Sequence, residues 1–334
     1  MTTLVRAAAL TNFFEVARDL GYNPQDALRR AGLSRALLED LERRIPVEAA
    51  MALLEDAARS SGCLTFGLRM AESRQLSNFG AVSLLISHQA TLRDALTTTM
   101  QHRHLLNGSL AMQIEDAGKM VIVREEIVSE GLARQSIELA IGVLFRMCAA
   151  LLGPSWRPYS VNFSHDAPPE LNLHRRLFTC PLEFGSEFNG IVLAAADLDA
   201  PNPSADPAMA RYAQRFVESL PPVNEPSIVL EVRKAIYLML SLGRATSDSV
   251  AQGLGLSVRT LQRQLGETGT NFTALLNEVR RELAQRYMDN PQFTLARVSE
   301  LLGYSTPGSF TRWFASEFGV APAVWRARGK RPAP

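Results

Sequence analysis

The 334-residue sequence is short of cysteine, of lysine and of net charge. Its three cysteines, Cys63, Cys148 and Cys180, are too few and too scattered for a disulfide framework or a Cys-x-x-Cys metal site. They fit a reducing compartment, where cysteine serves as a small buried apolar residue. No secretory leader is expected, because Thr11 and Asn12 interrupt the apolar stretch after Arg6. The most apolar segment, residues 139–152, carries Arg146 in its middle and falls short of the ~20 residues of a membrane span. No Gly-x-Ser-x-Gly, phosphate loop, dinucleotide fingerprint or His-Glu-x-x-His occurs, and no cysteine has an evident activating base. An enzyme is therefore not expected, nor a metal or cofactor. The 46% apolar and 21% charged fractions exclude wholesale disorder. These absences predict a cytoplasmic protein with no membrane association.

The lack of net charge argues at first against nucleic acid, since 35 Lys+Arg face 34 Asp+Glu. The charge is not evenly spread. Pro201, Pro203 and Pro207 precede a helical stretch at 208–220, and Pro221, Pro222 and Pro226 follow it. Proline clusters cannot continue a helix or central strand, so 201–226 reads as a linker with one helix inside. Residues 227–334 contain 14 Lys+Arg and 8 Asp+Glu, a net of +6, whereas residues 1–226 contain 21 and 26, a net of −5. A large acidic region thus precedes a small basic region, and a basic region of this size is a common electrostatic footprint of a DNA-binding module. Arginine supplies 32 of the 35 cations, which favours forked recognition of bases and phosphates.

The large region reads as α+β. Residues 1–75 look helical throughout, with Asn23-Pro24 opening one helix and Pro46 another. A short helix is predicted at 91–105 and a long apolar one at 130–152. Leu110, Met112 and Ile114 alternate with polar residues before the turn at Asp116-Ala117-Gly118, and 120–127 returns, a hairpin pattern. Short strands are predicted at 159–164, 182–184 and 190–194, giving a small antiparallel sheet flanked by helices.

Within the basic region a single pattern occurs twice. Leu254, Gly255 and Ser257 recur 48 residues later as Leu302, Gly303 and Ser305, while Arg263 recurs 49 later as Arg312. The second copy therefore holds one extra residue. Each copy spells a short helix, a glycine turn and a second helix, with Gly255 and Gly303 free to adopt positive φ. Ser257 is placed to cap the following helix, and Thr306 can cap with Pro307 at the first helical position. Leu261 and Leu265, like Phe310 and Phe314, fall at i, i+4 and would pin that helix to its partner. The outer face carries Arg259, Gln262 and Arg263 in one copy and Gly308, Ser309 and Arg312 in the other. This is the layout of a helix-turn-helix, whose second helix enters the major groove, where arginine can fork onto guanine and glutamine onto adenine. Between the copies a helix predicted at 272–288 would be ~26 Å long, suited to successive groove faces about 34 Å apart.

The block from Ile228 to Arg328 resembles the DNA-binding domain of the AraC/XylS family of transcriptional regulators. The resemblance rests on Leu261-Gln262-Arg263, on Arg281 with Ala284, and on Gly303-Tyr304-Ser305. Phe310-Thr311-Arg312-Trp313-Phe314 and Gly319-Val320-Ala321-Pro322 through Trp325-Arg326 complete it. It implies that Arg259, Gln262 and Arg263 read bases in one groove and that Gly308, Ser309, Thr311 and Arg312 face the next. Gly255, Ser257, Leu261, Gly303, Ser305, Phe310, Phe314 and Pro322 would be structural. Ala315-Ser316 stand where basic residues are frequent, and Trp325 where tyrosine is usual.

The first 220 residues are similar, more loosely, to the effector-binding and dimerisation domain of one branch of that family. The similar stretches include Asp26 to Leu33, Thr91-Leu92-Arg93-Asp94-Ala95-Leu96, and Phe178-Thr179-Cys180-Pro181. The resemblance implies an effector-responsive activator, with a double-stranded DNA operator, a small-molecule effector, a homodimer and RNA polymerase as partner. The expected organisation is a sensing and dimerisation domain at 1–200, a linker at 201–226, and an all-α double helix-turn-helix domain at 227–330. Its two motif units are placed at 248–266 and 295–316. A ligand-independent architectural or repressor protein is the alternative, and a cysteine alkyl-transfer enzyme a more distant one.

Candidate effector contacts are few. His102 and His104 could bring two imidazoles together but lack further ligands at metal spacing, so they read as helix surface or pocket wall. Arg146 either snorkels to the surface or is a buried counter-charge for an anionic effector such as a carboxylate.

Overall fold

The structure, a computed structural model, describes residues 2–129, 131, 133–220 and 227–329. The chain divides into two compact units, Met1–Glu225 and Pro226–Pro334. The prolines at 221, 222 and 226, and Glu130, expected to begin a helix, lie outside the described residues.

The first unit is built around a five-stranded sheet. The predicted hairpin is present as β3 (Leu110–Ala117) and β4 (Met120–Ile127), following a separate small pair described below. Asp116 Oδ1 accepts the Gly118 amide at 2.8 Å in its turn, a short side-chain bond that fixes the reversal. Three further strands, β5 (Ser160–Phe163), β6 (Leu182–Phe184) and β7 (Gly190–Ala194), extend the sheet in the order β3-β4-β7-β5-β6. Gly190 is required where β7 crosses β4, since a Cβ there would lie 2.3 Å from the Val123 carbonyl oxygen.

Two expectations are corrected. The sheet is mixed rather than antiparallel, because β5 and β6 run parallel, joined through the helix Asn172–Phe178. A connection that returns the chain before it re-enters the sheet produces parallel pairing, whereas a tight turn cannot. Nor are residues 1–75 helical throughout: β1 (Leu4–Arg6) and β2 (Arg44–Pro46) form an antiparallel pair. Three-residue strands are too short to show a period of two.

The central helix of this unit runs Arg134–Leu152, starting four residues later than the expected 130 and ending at the expected 152. Its 19 residues are long and apolar enough by composition to cross a membrane. Ten of its residues are buried, including Leu139, Ile141, Leu144 and Phe145, as it packs on β4 and on the helices Val47–Ser61 and Phe66–Glu72. That burial is what a core helix requires. The helix expected inside the linker spans Pro207–Glu218, capped by Asp206, and packs on the helix Ala81–Ser87 of the first unit.

The second unit contains seven helices among the described residues. A two-helix motif, Ser247–Gly253 and Val258–Glu267, precedes the long helix Phe272–Asp289. A second motif, Leu295–Leu301 and Pro307–Phe318, follows it. Ile228–Leu240 packs against the long helix and the first motif, and Pro322–Gly329 packs against the long helix and the second. The apolar side chains at i, i+4 meet in one core, where Leu261, Leu265, Phe310 and Phe314 are at most 1% exposed.

Candidate nucleic-acid interface and ligand cavity

The two motifs are alike in their bonding. The first helix of each ends in a left-handed glycine, Gly255 at φ +68° and Gly303 at φ +72°. The amide after that glycine bonds five residues back, Leu256 to the Ala251 carbonyl and Tyr304 to the Ser299 carbonyl. This is the paired closure of a Schellman helix end, which satisfies carbonyls the helix leaves open. The second helices are capped alike. Ser257 Oγ accepts the Thr260 amide at 3.1 Å, and Thr306 Oγ1 accepts the Ser309 amide at 3.2 Å.

The structural counterpart of Ser257 is therefore Thr306 and not Ser305, which lies one residue before the cap. The extra residue sits in the turn between Gly303 and Thr306. From the caps onward every equivalent residue is 49 apart: Arg259 with Gly308, Thr260 with Ser309, Gln262 with Thr311, and Arg263 with Arg312.

Arg259, Gln262 and Arg263 are exposed on the outer face of Val258–Glu267, and Gly308, Thr311 and Arg312 on that of Pro307–Phe318. Arg263 Nη1 donates to Glu267 Oε1 at 2.6 Å, an exposed pair one turn apart. Arg312 Nη2 reaches only the Ser309 hydroxyl, at 3.4 Å. Thr311 turns its hydroxyl onto the Pro307 carbonyl at 2.9 Å. The half-buried Ser309 hydroxyl is shared between the Thr306 cap and Arg312.

The second motif is braced more heavily. Arg280 Nε donates to the Leu302 carbonyl at 3.0 Å, and its guanidinium lies 4.4 Å from the centre of the Tyr304 ring. Arg281 Nε bonds Glu317 at 3.0 Å. Pro322 is buried at the start of its helix, which places Trp325 against Phe314 and Phe318, with centroids 5.8 and 5.1 Å away. Sequence reading assigned Arg281 only by resemblance, and it missed Arg280.

The first unit carries a partly open cavity of about 150 Å³ between the sheet, the central helix and the N-terminal segment. Its walls are mainly aliphatic, including Met51, Leu54, Leu110, Met112, Leu139 and Met147. Three ionisable side chains face it: Arg6, Arg74 and Glu125. Arg6 Nε is matched by Glu42 Oε2 at 2.9 Å. Arg74 Nη1 donates to the Ala8 carbonyl at 2.6 Å and Nη2 to the Ala9 carbonyl, while its buried Nε has no partner. Burial, reinforced by repulsion from Arg6, lowers the Arg74 pKa to about 10. Burial next to Glu126 pushes Glu125 up to about 8, so its carboxyl is mostly protonated at neutral pH.

The three effector candidates do not line this cavity. His102 ends the helix Leu92–Gln101 and bonds the Thr98 carbonyl at 3.0 Å, which also divides the single helix expected at 91–105. Its ring stacks on His104, with centroids 6.5 Å apart. Half-buried, His104 has its pKa lowered by desolvation first, with the neighbouring His102 adding to the effect. Arg146 Nε donates to the Arg74 carbonyl at 2.6 Å, so it holds the backbone of the arginine that does face the cavity. Arg74 carried no recognisable signal, because its burial depends on Ala8 and Ala9 folding over it from far along the chain.

Elsewhere in this unit Glu138 is fully buried, with His165, His174 and Arg134 nitrogens 3.4–3.5 Å from its Oε1 and none hydrogen-bonded to it. Among the described residues no group of three acidic, histidine or cysteine side chains could hold a metal ion. Burial raises the thiol of Cys180 to about 11 and that of Cys148 further still, so neither supplies thiolate at neutral pH.

Comparison with known proteins bears on both units. Residues 21–202 match the model of the N-terminal arabinose-binding domain of AraC transcription regulator, and residues 250–328 match a helix-turn-helix domain model. The HTH-type transcriptional regulator VirS of Mycobacterium tuberculosis is 27% identical over 331 residues, covering 98% of this chain and 97% of its own. The ornithine utilization regulator of Pseudomonas aeruginosa is 23% identical, covering 97% of this chain and 96% of its own. The transcriptional activator NphR of a Rhodococcus species is 29% identical over 147 residues, 41% of this chain and 44% of its own.

Proposed function

Because the chain belongs to the AraC family of transcriptional regulators, we propose that its two recognition helices read successive major-groove segments of one operator. The protein is a DNA-binding transcriptional regulator with an effector-binding domain. The observation that carries the residue-level reading is the pairing of Arg263 with Arg312, at equivalent positions of two identically capped helices and exposed on both. Arg259, Gln262 and Arg263 contact bases in one groove segment, and Thr311 and Arg312 in the next, where Gly308 lets the backbone approach closely. The strut Phe272–Asp289 spans ~27 Å at 1.5 Å per residue, in keeping with faces about one helical repeat apart.

On this reading the protein is a cytoplasmic homodimer that needs no catalytic group, metal or cofactor for its function. Its effector binds two states of the first unit unequally and so changes how two DNA-binding units meet adjacent half-sites. The Rhodococcus relative is named an activator, and activation with RNA polymerase as partner is the sign of regulation we assign. Selection from random duplexes with the full chain is the test. It should enrich half-sites that each hold two elements one helical turn apart, bound with a steep salt dependence. Enrichment of a single element would mean that only one motif reads sequence.

A further inference from the structure

We propose that the cavity of the first unit holds a small monocarboxylic acid with an apolar body, its carboxylate seated on Arg74. The assignment deepens the effector-binding reading and rests on it.

The charge of the cavity is unbalanced. Two guanidiniums, Arg6 and Arg74, face it, and only Arg6 is matched by a carboxylate, that of Glu42. Arg74 is 4% exposed and bonds only the carbonyls of Ala8 and Ala9, leaving Nε without a partner. A buried cation held by neutral groups alone is costly, and a carboxylate can accept from a guanidinium with matched geometry. Glu125 does not supply the missing charge. With a pKa of about 8 it is mostly a neutral carboxyl at pH 7. Arg146 acts at one remove: by donating to the Arg74 carbonyl it positions that arginine.

The remainder of the cavity offers a sugar few partners. Thr99 commits its hydroxyl to the Ala95 carbonyl at 2.8 Å, and Asn107 Oδ1 takes the amide and hydroxyl of Ser109, both at 2.9 Å. Asn78 Oδ1 accepts the Gln75 amide at 2.8 Å. A polyol with a hydroxyl on every carbon would leave most of them unpaired against aliphatic walls. A cavity near 150 Å³ is of the size that admits benzene, which suits an apolar body of about five or six carbons.

Thermal unfolding of the full chain tests this with four probes: hexanoate, cyclohexanecarboxylate, cyclohexanecarboxamide and arabinose. The two acids at saturation should raise the midpoint by about 3–6 °C, and the amide and arabinose should not. Arg74→Gln removes the charge, and Ala140→Leu fills the void while leaving Arg74 in place. Each should abolish the shift, whereas Glu125→Gln should keep it. If Arg74→Gln does not fold, Ala140→Leu and the acid–amide comparison still decide the question. No shift with either acid, an equal shift with the amide, or a shift surviving Ala140→Leu overturns the proposal. A shift with amide or arabinose that also alters DNA affinity refutes the carboxylate seat but preserves effector response. An acid that binds at Arg74 without altering DNA affinity refutes effector response but preserves the seat.

Discussion

The two helix-turn-helix copies share turn, cap and arginine positions yet are held together by different means. The first relies on leucine packing, with Leu261 and Leu265 fully buried and a recognition helix whose Arg263 already has a glutamate partner. The second joins Phe310, Trp313, Phe314, Phe318 and Trp325 in a continuous aromatic cluster, with Arg280 and Arg281 tying it to the strut. The backbone bonding of the motif is therefore compatible with either kind of filling. What differs is how much energy is concentrated in single side chains, since aromatic rings bury more area than leucine.

The largest effect that separates the copies should come from their cores. Phe314→Ala should cost about 3–5 kcal/mol and Leu265→Ala about 2–4 kcal/mol, read by equilibrium urea unfolding. Equal losses would remove the distinction in packing. Next come the arginines. Arg263→Ala and Arg312→Ala should each cost ~1–3 kcal/mol of operator affinity, at different base positions. The loss at Arg263 should be smaller by about 0.3–0.5 kcal/mol, because binding DNA must first release its helix-surface pair with Glu267. Fluorescence titration against single-base operator variants measures both, and uniform weakening across all variants would assign the arginines to phosphate. The smallest contrast lies in the turns. Either glycine replaced by alanine forces a left-handed residue, at a cost of about 1–2 kcal/mol. Gly303→Ala should fall at the upper end, since its new Cβ would lie 3.2 Å from Leu240 Cδ1, whereas Gly255→Ala meets open space. If the two variants unfold alike, Leu240 gives way freely.

The repeat was legible because its signals are local. Apolar residues at i, i+4, a glycine before a capping hydroxyl and an outward arginine all fall within twenty residues of one another. The hairpin at β3 and β4 was legible for the same reason. The parallel pairing of β5 with β6 was not, since strand direction is decided by a helix between them and not by either strand's residues. The offsets of 48 and 49 revealed an extra residue in the second copy, and the cap bonds of Ser257 and Thr306 fix it in the turn ahead of Thr306. In the cavity, Arg146 stood out because it interrupts an apolar helix, while Arg74 stood at an ordinary helix end. Its isolation from water is a property of the tertiary fold, contributed by Ala8 and Ala9.

The position of that extra residue also bears on how such a domain can be altered. An insertion inside a recognition helix would rotate every later side chain by about 100°, turning the reading face away from the groove. Here the added length is taken up in the turn, and the helical phase downstream of the cap is untouched. The segment beginning at Ser257 and the one beginning at Thr306 thus share one helical register, each with its own start signal. Exchanging only the exposed residues at equivalent positions, Arg259 and Gln262 against Gly308 and Thr311, would therefore exchange base preference between the two groove segments without disturbing either core.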